Sequence, residues 1–269
     1  MTSPIPSMQA ASPGPLNVDV IRRGVDGLDP AAEIRYSAEV DSTNRILGSL
    51  APDERRHGII LLTDYQSAGR GRRGRRWIAP PRTGLLFSML LAIPPRALPV
   101  DIPVVGALAV QDALTDATGL KTRLKWPNDV LVGDRKLSGI LAEYLPGKSP
   151  FAVLGIGLNV NFDPAAEPAA GAAATSVSGE LGHLVEREFL AVVLFKAIYL
   201  WYRCLACDPA SVLEAWTARL DLIQRAVRIE DASGQWQGIA ERIRRDGGLE
   251  VRRTDGVRRT VYAADVSMR

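Results

Sequence analysis

Gly69-Arg70-Gly71-Arg72-Arg73-Gly74-Arg75-Arg76-Trp77, followed by Ile78-Ala79-Pro80-Pro81, decides between two folds. Gly69, Gly71 and Gly74 have the G-x-G-x-x-G spacing of a dinucleotide fingerprint, which would imply a doubly wound parallel sheet. That fingerprint needs a helix whose N-terminus faces the pyrophosphate, and Pro80 and Pro81 disfavour a continuous helix. No acidic residue closes the next strand where a ribose would be held. What remains is a glycine-permitted loop that gathers backbone N–H groups and guanidinium forks, which suits a ligand with several anionic oxygens. A solvated basic loop, or one touching a nucleic-acid backbone, would have the same composition.

Outward from this loop, the strand GIILLTDY and the helix-like STNRILGSL lie before it, and the strand LLFSMLLAI lies after it. VVGALAVQDALTDATG reads as a helix ended by Gly119. Short strands follow in TRLKWP, DVLVG, LSGILAEYL and FAVLGIGLNVNF. The Ala/Pro/Gly-rich segment 163–182 reads as a surface loop, and two helices, one over 189–207 and one around VLEAWTARL, close the region. Beyond Leu220 only strands are expected: AVRIED, QWQGIAERI, LEVRR and RRTVYAADV, separated by Ser-Gly, Asp-Gly-Gly and Asp-Gly turns. Residues 1–32, rich in Pro, Ser, Gly and Ala, read as a flexible lead-in. The expected domains are therefore 1–32 as lead-in, 33–220 as the main domain and 221–269 as a small all-β domain.

The 269 residues carry 33 Lys and Arg against 30 Asp and Glu, a formal charge of +3, yet five arginines fall between Arg70 and Arg76. The chain is locally cationic, not a basic protein. Its start has no basic run followed by an apolar core, so neither a signal nor a transit peptide is expected. The apolar stretch 189–207 contains Lys196 and Arg203 and reads as a buried helix, with no membrane partner. Two cysteines cannot build a disulfide framework and suggest a reducing, cytoplasmic setting. Cys204 and Cys207 form a C-x-x-C, but it ends a helix and no second pair completes a zinc site, so they read as packing residues. His57 and His183 read as isolated surface or loop residues.

Three further segments could carry chemistry. Lys125-Trp126-Pro127-Asn128-Asp129-Val130, with Arg135-Lys136-Leu137-Ser138-Gly139 downstream, has an ordinary reading as turns, because Asn and Asp cap turns with their own side chains. Gly155-Ile156-Gly157-Leu158-Asn159-Val160 puts two glycines in an apolar strand, implying a bulge or a close approach by a ligand. Asp41-Ser42-Thr43-Asn44 is explained as a helix cap, but its hydroxyls and amide would also suit a neutral polar group such as a ureido ring.

GRGRRGRRW, KWPNDV, RKLSGIL and GIGLNV, in this order, resemble the biotin–protein ligase family, as does Ala174-Thr175-Ser176-Val177. The resemblance covers roughly residues 34–265. It implies an α+β fold, a central mixed sheet flanked by helices of the class II aminoacyl-tRNA synthetase and biotin ligase kind, followed by a small SH3-like β-barrel. It implies that biotin and ATP, with Mg²⁺, form biotinyl-5′-AMP, and that biotin then passes to a lysine of a biotin carboxyl carrier protein or domain. By the same resemblance Ser42, Thr43, Asn44, Gln66, Gly69, Arg70, Gly71, Arg72, Lys136 and Gly139 contact biotin. Arg70, Arg72, Trp77, Asn128, Lys136 and Asn159 contact the nucleotide. Lys136, Arg72 and Asp129 carry the catalytic roles, and no dedicated protein metal site is expected.

Relatives that double as repressors place a helix-turn-helix domain of some sixty residues before the S-T-N segment. Here about forty residues precede it, and they include Pro4, Pro6, Pro13, Pro15 and Pro30. The expectation is a single-function ligase that does not bind DNA, with a homodimer left open. Lipoate ligases and octanoyltransferases also acylate carrier lysines, but with a different glycine-rich loop.

The chemistry suits these residues. At about 4 Å two unit charges repel by roughly 4 kcal/mol at an effective dielectric of 20, so bringing a carboxylate to a polyphosphate requires cations. The attacking carboxylate is already ionised, so the first step needs no base. The second step needs a neutral lysine amine, and Asp129 is the group suited to hold or deprotonate it.

Overall fold

Ile59-Ile60-Leu61-Leu62 and Leu85-Leu86-Phe87 are apolar at every position instead of at alternate ones, the pattern of strands covered on both faces. In the computed structural model, which describes residues 14–28, 32–164, 173–231, 234–262 and 264–268, these strands lie inside a seven-stranded mixed sheet. Its strands are β1 (Glu33–Val40), β2 (Ile59–Gln66), β3 (Gly84–Ala92), β4 (Arg123–Lys125), β5 (Asp129–Val132), β6 (Arg135–Leu145) and β7 (Phe151–Asn159), in the order β1-β2-β3-β7-β6-β5-β4. The β1–β2 pair is parallel and every other pair is antiparallel.

The helices are α1 (Val18–Gly24), α2 (Thr43–Gly48), α3 (Asp101–Thr118), α4 (Val177–Leu181), α5 (Arg187–Cys207) and α6 (Pro209–Ala218). One face of the sheet turns Phe87, Met89, Leu154, Ile156 and Leu158 to the helix layer, where the Phe87 and Phe195 rings meet edge to face at 4.8 Å. Gly106 of α3 lies so close that an added Cβ would stand 2.9 Å from Leu154. On the opposite face Leu61, Leu90 and Val153 are covered by Leu47 of α2. The remainder of that face is the floor of a cleft. As read from the sequence, α3 ends at Gly119 in the left-handed conformation, which glycine adopts without a Cβ clash. The apolar α5 buries Leu190, Leu194, Phe195 and Ile198 in the core.

A second, five-stranded antiparallel sheet comprises β8 (Ala226–Asp231), β9 (Gly234–Ile243), β10 (Leu249–Arg253), β11 (Arg258–Val261) and β12 (Asp265–Met268), ordered β11-β10-β9-β8-β12. Arg245 at its β9–β10 turn makes two hydrogen bonds to the buried Asp101 at the start of α3, at 2.5 and 2.7 Å.

Several expectations are corrected. The lead-in is not loose throughout, for residues 14–28 include α1, with Leu16, Ile21 and Val25 buried. The cause is a buried ion pair. Arg187 holds Asp64 at 2.9 Å and also donates to the Gly14 carbonyl at 2.7 Å, while Asp64 accepts from the Leu16 N–H. Burial, and then its hydrogen bond to Asp64, push the Tyr36 hydroxyl up to about 12. The prolines Pro4, Pro6, Pro13 and Pro30 lie outside the described residues. Segment 163–182 is not wholly loop, because Ser176 caps the short α4. RRTVYAADV is two strands, β11 and β12, at opposite edges of the sheet. Cys207 is exposed, so only Cys204 packs against the core.

His57 lies in a turn, as expected, but it is not isolated. Its ring lies 4.4 Å from that of Tyr202, and Nδ1 accepts the Ala92 N–H at 3.2 Å, so the imidazole carries its proton on the buried Nε2. Burial lowers the His57 pKa below 6.5. The unfolded chain therefore binds a proton near pH 6.5 that the folded chain refuses, and stability present above pH 6.5 is lost as pH falls toward the folded value. The melting temperature should drop more steeply between pH 7 and 5 in the wild type than in His57→Gln. Parallel pH profiles would remove His57 as the cause.

Candidate active site

The site begins with what β7 and β6 lack. Gly155, Gly157 and Gly139 point to the open face of the sheet, where any side chain would collide with a neighbour. A Cβ at Gly155 would fall 2.0 Å from Asn44 Oδ1, and one at Gly157 would fall 2.3 Å from Trp77 Cε2. At Gly139 it would stand 2.9 Å from Trp77 Cζ3. The glycines let the Trp77 indole lie on the sheet and the Asn44 amide sit against it.

Above this floor is a cavity of about 540 Å³. Ser42, Thr43, Asn44, Gln66, Arg70, Gly71, Arg72, Trp77, Asn128, Asp129, Lys136, Gly139 and Asn159 all line it. The four sequence segments are thus brought to one place. Gly69 is the exception among the expected residues. Its Cβ would stand 2.4 Å from the Trp77 carbonyl, and its own carbonyl accepts the Trp77 N–H at 3.0 Å, so it closes the loop instead of lining the cavity.

The arginine loop is a tight hairpin. Gly71 N–H donates to the Arg75 carbonyl at 2.7 Å, Arg70 and Arg76 form a β-bridge, and Arg73 and Gly74 turn with φ of 57° and 74°. Arg72 reaches across to Asn128 Oδ1 and to the Tyr262 carbonyl, each at 3.3 Å. Arg70 instead pairs with Glu143 at 3.0 Å. The same carboxylate also accepts from Asn44 Nδ2 at 2.8 Å.

The cavity has two chemically distinct ends. At one, Ser42, Thr43, Asn44 and Gln66 offer only hydroxyls and amides. Thr43 N–H donates to Gln66 Oε1 at 2.9 Å, and Ser88 Oγ stands 2.7 Å from Thr43 Oγ1 and 2.6 Å from Asn44 Oδ1. At the other, Lys136 Nζ stands 2.7 Å from Asp129 Oδ1 and 5.6 Å from the centre of a Trp77 ring. Asp129 Oδ1 is buried and, close as the ammonium is, has no well-directed hydrogen bond, so charge and proximity hold the pair. Trp77 Nε1 and Asn159 Oδ1 are also buried without partners, a donor and an acceptor that a ligand could satisfy.

Tertiary contacts fix these groups. The Lys136 N–H donates to the Ala173 carbonyl at 2.7 Å, and its carbonyl accepts the Thr175 N–H at 2.9 Å, so the Ala173–Thr175 segment clamps the backbone that carries the ammonium. Asn128 is bound to the backbone of Ile140 on β6 through both its own backbone and its side chain, by Ile140 N–H to the Asn128 carbonyl at 3.0 Å and Asn128 Nδ2 to the Ile140 carbonyl at 2.8 Å. The sequence reading missed Ser88, Glu143, Ala264 and Val266. Ser88 left a signal, as the one polar residue inside LLFSMLLAI. Nothing local marks Glu143 within LSGILAEYL, nor Val266 on β12 and Ala264 just before it.

Residues 36–161 match the model of the biotin/lipoate A/B protein ligase family. The chain is 36% identical over 241 residues to the biotin–[acetyl-CoA-carboxylase] ligase of Paracoccus denitrificans, covering 85% of this chain and 98% of that relative. It is 30% identical over 235 residues to the bifunctional ligase/repressor BirA of Escherichia coli K12, covering 86% of this chain and 72% of that protein. The biotin protein ligase of Aquifex aeolicus, solved in complex with biotin and ATP, superposes with a TM-score of 0.72 at 27% identity, over 88% of this chain and 98% of that one. At 36% identity over nearly the whole of the Paracoccus denitrificans ligase, and with the fold of the Aquifex aeolicus enzyme, the chain belongs to the biotin–protein ligase family.

Proposed function

We propose that the neutral end of the cleft takes the ureido head of biotin and that the charged end takes ATP. The chain is an ATP-dependent biotin–protein ligase: it makes biotinyl-5′-AMP and transfers biotin to a lysine of a carboxyl carrier protein. The observation that carries the placement is the division of one cavity into a hydroxyl and amide end and a lysine, arginine and carboxylate end. A ureido ring is neutral and needs matched donors and acceptors, whereas a triphosphate needs cations.

In the first step a biotin carboxylate oxygen attacks the α-phosphorus, and the bond to pyrophosphate breaks. Lys136, between the cleft floor and Asp129, stabilises the charge that develops on the phosphoryl oxygens, and Arg72 holds the adenylate. In the second step the acceptor amine attacks the acyl carbon, the bond to AMP breaks, and Asp129 holds or removes the amine proton. Trp77 Nε1 and Asn159 Oδ1 supply the unmatched donor and acceptor for the nucleotide. Mg²⁺ fits this donor set as an ion held mainly by phosphates, with Asp129 as the protein carboxylate, and it would neutralise phosphate charge.

We read the second sheet as an SH3-like barrel. Only residues 262–264 separate β11 from β12, so four Cα steps, about 15 Å, must join the two edges of a five-stranded sheet that would be about 19 Å apart if flat. The sheet must curl. A cytoplasmic setting is supported by the two cysteines, both free.

Incubating the protein with biotin, Mg-ATP and a biotin carrier domain should add one biotin to a single lysine, read by mass spectrometry. Pyrophosphate release supported by lipoate and not by biotin would favour the lipoate branch of the family. Lys136→Ala should lower adenylate formation about 10²-fold or more while biotin binding falls far less. An unchanged turnover number would remove Lys136 from the mechanism.

Arg72→Gly should lose a charge-assisted hydrogen bond to the adenylate, worth about 1.5–3 kcal/mol, and so release the intermediate roughly ten- to a hundredfold faster. Free biotinyl-adenylate would then label a bystander protein that has no carrier domain. A bystander left unlabelled while adenylate is still made would show that Arg72 does not retain it.

A further inference from the structure

Glu143, on β6, stands behind the biotin end of the cleft and touches two groups that sequence places far apart. Its carboxylate accepts from Asn44 Nδ2 at 2.8 Å and from Arg70 Nη1 at 3.2 Å, with its other oxygen 3.0 Å from the same guanidinium. Neither contact belongs to the roles given to the cleft residues so far, and Glu143 is not part of the cavity wall.

Its position sets the direction of a hydrogen-bond chain. Facing a carboxylate, which only accepts, Asn44 must turn its NH₂ toward Glu143, and the Leu141 carbonyl at 3.4 Å takes the same side. Asn44 Oδ1 then faces Ser88. The Ser88 hydroxyl has one proton and two oxygen neighbours, Asn44 Oδ1 at 2.6 Å and Thr43 Oγ1 at 2.7 Å. An amide oxygen cannot donate, so Ser88 must give its proton to Asn44. The short contact to Thr43 is then satisfied only if Thr43 donates to Ser88. Gln66 Oε1, 3.1 Å from the Thr43 hydroxyl, is already served by the Thr43 N–H at 2.9 Å.

Thr43, Ser88 and Asn44 are each at most 5% exposed, so water does not scramble the order. The result is a donor chain from Thr43 through Ser88 and Asn44 to Glu143, which leaves the Thr43 oxygen facing the cleft with lone pairs and no proton.

Building on the proposed biotin site, we infer that Glu143 is a specificity-determining positioning residue: it orients the Asn44–Ser88–Thr43 chain so that Thr43 presents an acceptor to a ligand N–H, and it anchors Arg70 beside that end. A ureido N–H matches such an acceptor. A ligand without an N–H there would leave Thr43 facing a group with nothing to donate.

The test is calorimetric titration of the full chain with biotin and with biotin methylated on a ureido nitrogen, beside a melting curve for each variant. Wild type should bind biotin and discriminate strongly against the methylated compound. Failure of wild type to bind biotin would sink the proposed site, a different outcome from those that follow.

Glu143→Leu should weaken biotin binding about tenfold or more and narrow the discrimination, because the chain loses its terminal acceptor. Glu143→Gln keeps an amide oxygen for Asn44 and should restore most of the affinity. Ser88→Ala cuts the chain while leaving Glu143 in place and should reproduce the loss and the narrowing, even if Glu143→Leu does not fold. Adding Glu143→Leu to Ser88→Ala should then cost less than about twofold more. Wild-type affinity in Ser88→Ala or Glu143→Leu, unchanged discrimination, or independent losses in the double variant would overturn the assignment.

Discussion

Steric room at the floor of the cleft is the constraint on which the site depends. Gly155 and Gly157 alternate with Leu154, Ile156 and Leu158, so β7 is apolar toward the helices and bare toward the ligand. Glycine weakens a strand interior, and here the loss is offset by pairing with β3 and β6 on both sides of β7. The space released is filled by Trp77 and Asn44, which are then held flat against the sheet. Each belongs to one end of the cleft, so a single strand organises both.

Electrostatics adds a second layer. Arg72 and Lys136 each have a polar protein partner at the charged end of the cleft, Asn128 for one and Asp129 for the other. These partners fix the position of the cations at little cost in side-chain freedom when a ligand arrives. The braces come from distant chain segments: the Ala173–Thr175 backbone on Lys136, the Tyr262 carbonyl on Arg72, and the Arg245–Asp101 pair that ties the second sheet to α3. The small sheet is therefore a wall of the active site as well as an appendage.

Local chemistry made much of this legible in advance. Pro80 and Pro81 forbade the helix a dinucleotide fold would need, Gly119 marked the end of α3, and the glycines of GIGLNV signalled a close approach within a strand. Each depends on backbone sterics or hydrogen bonding within a few residues, which is why a linear reading reached it. The lead-in, by contrast, was misread because composition records proline and glycine but not the buried Arg187–Asp64 pair that fastens Gly14 and Leu16. His57 was misread for a similar reason, since its neighbours Tyr199 and Tyr202 lie on α5, far along the chain.

By itself the sequence determined the order and type of nearly all elements, the four segments that line the cleft and, through their motifs, the family. Only the tertiary structure decided that Arg70 pairs with Glu143 while Arg72 reaches Asn128, that Gly69 closes a loop, and that Ser88 stands between Thr43 and Asn44. The physical reason is range. Propensity, turn chemistry and strand alternation act between residues close in the chain, whereas the direction of a hydrogen bond or the partner of a charge is set by whichever groups folding brings within about 3 Å.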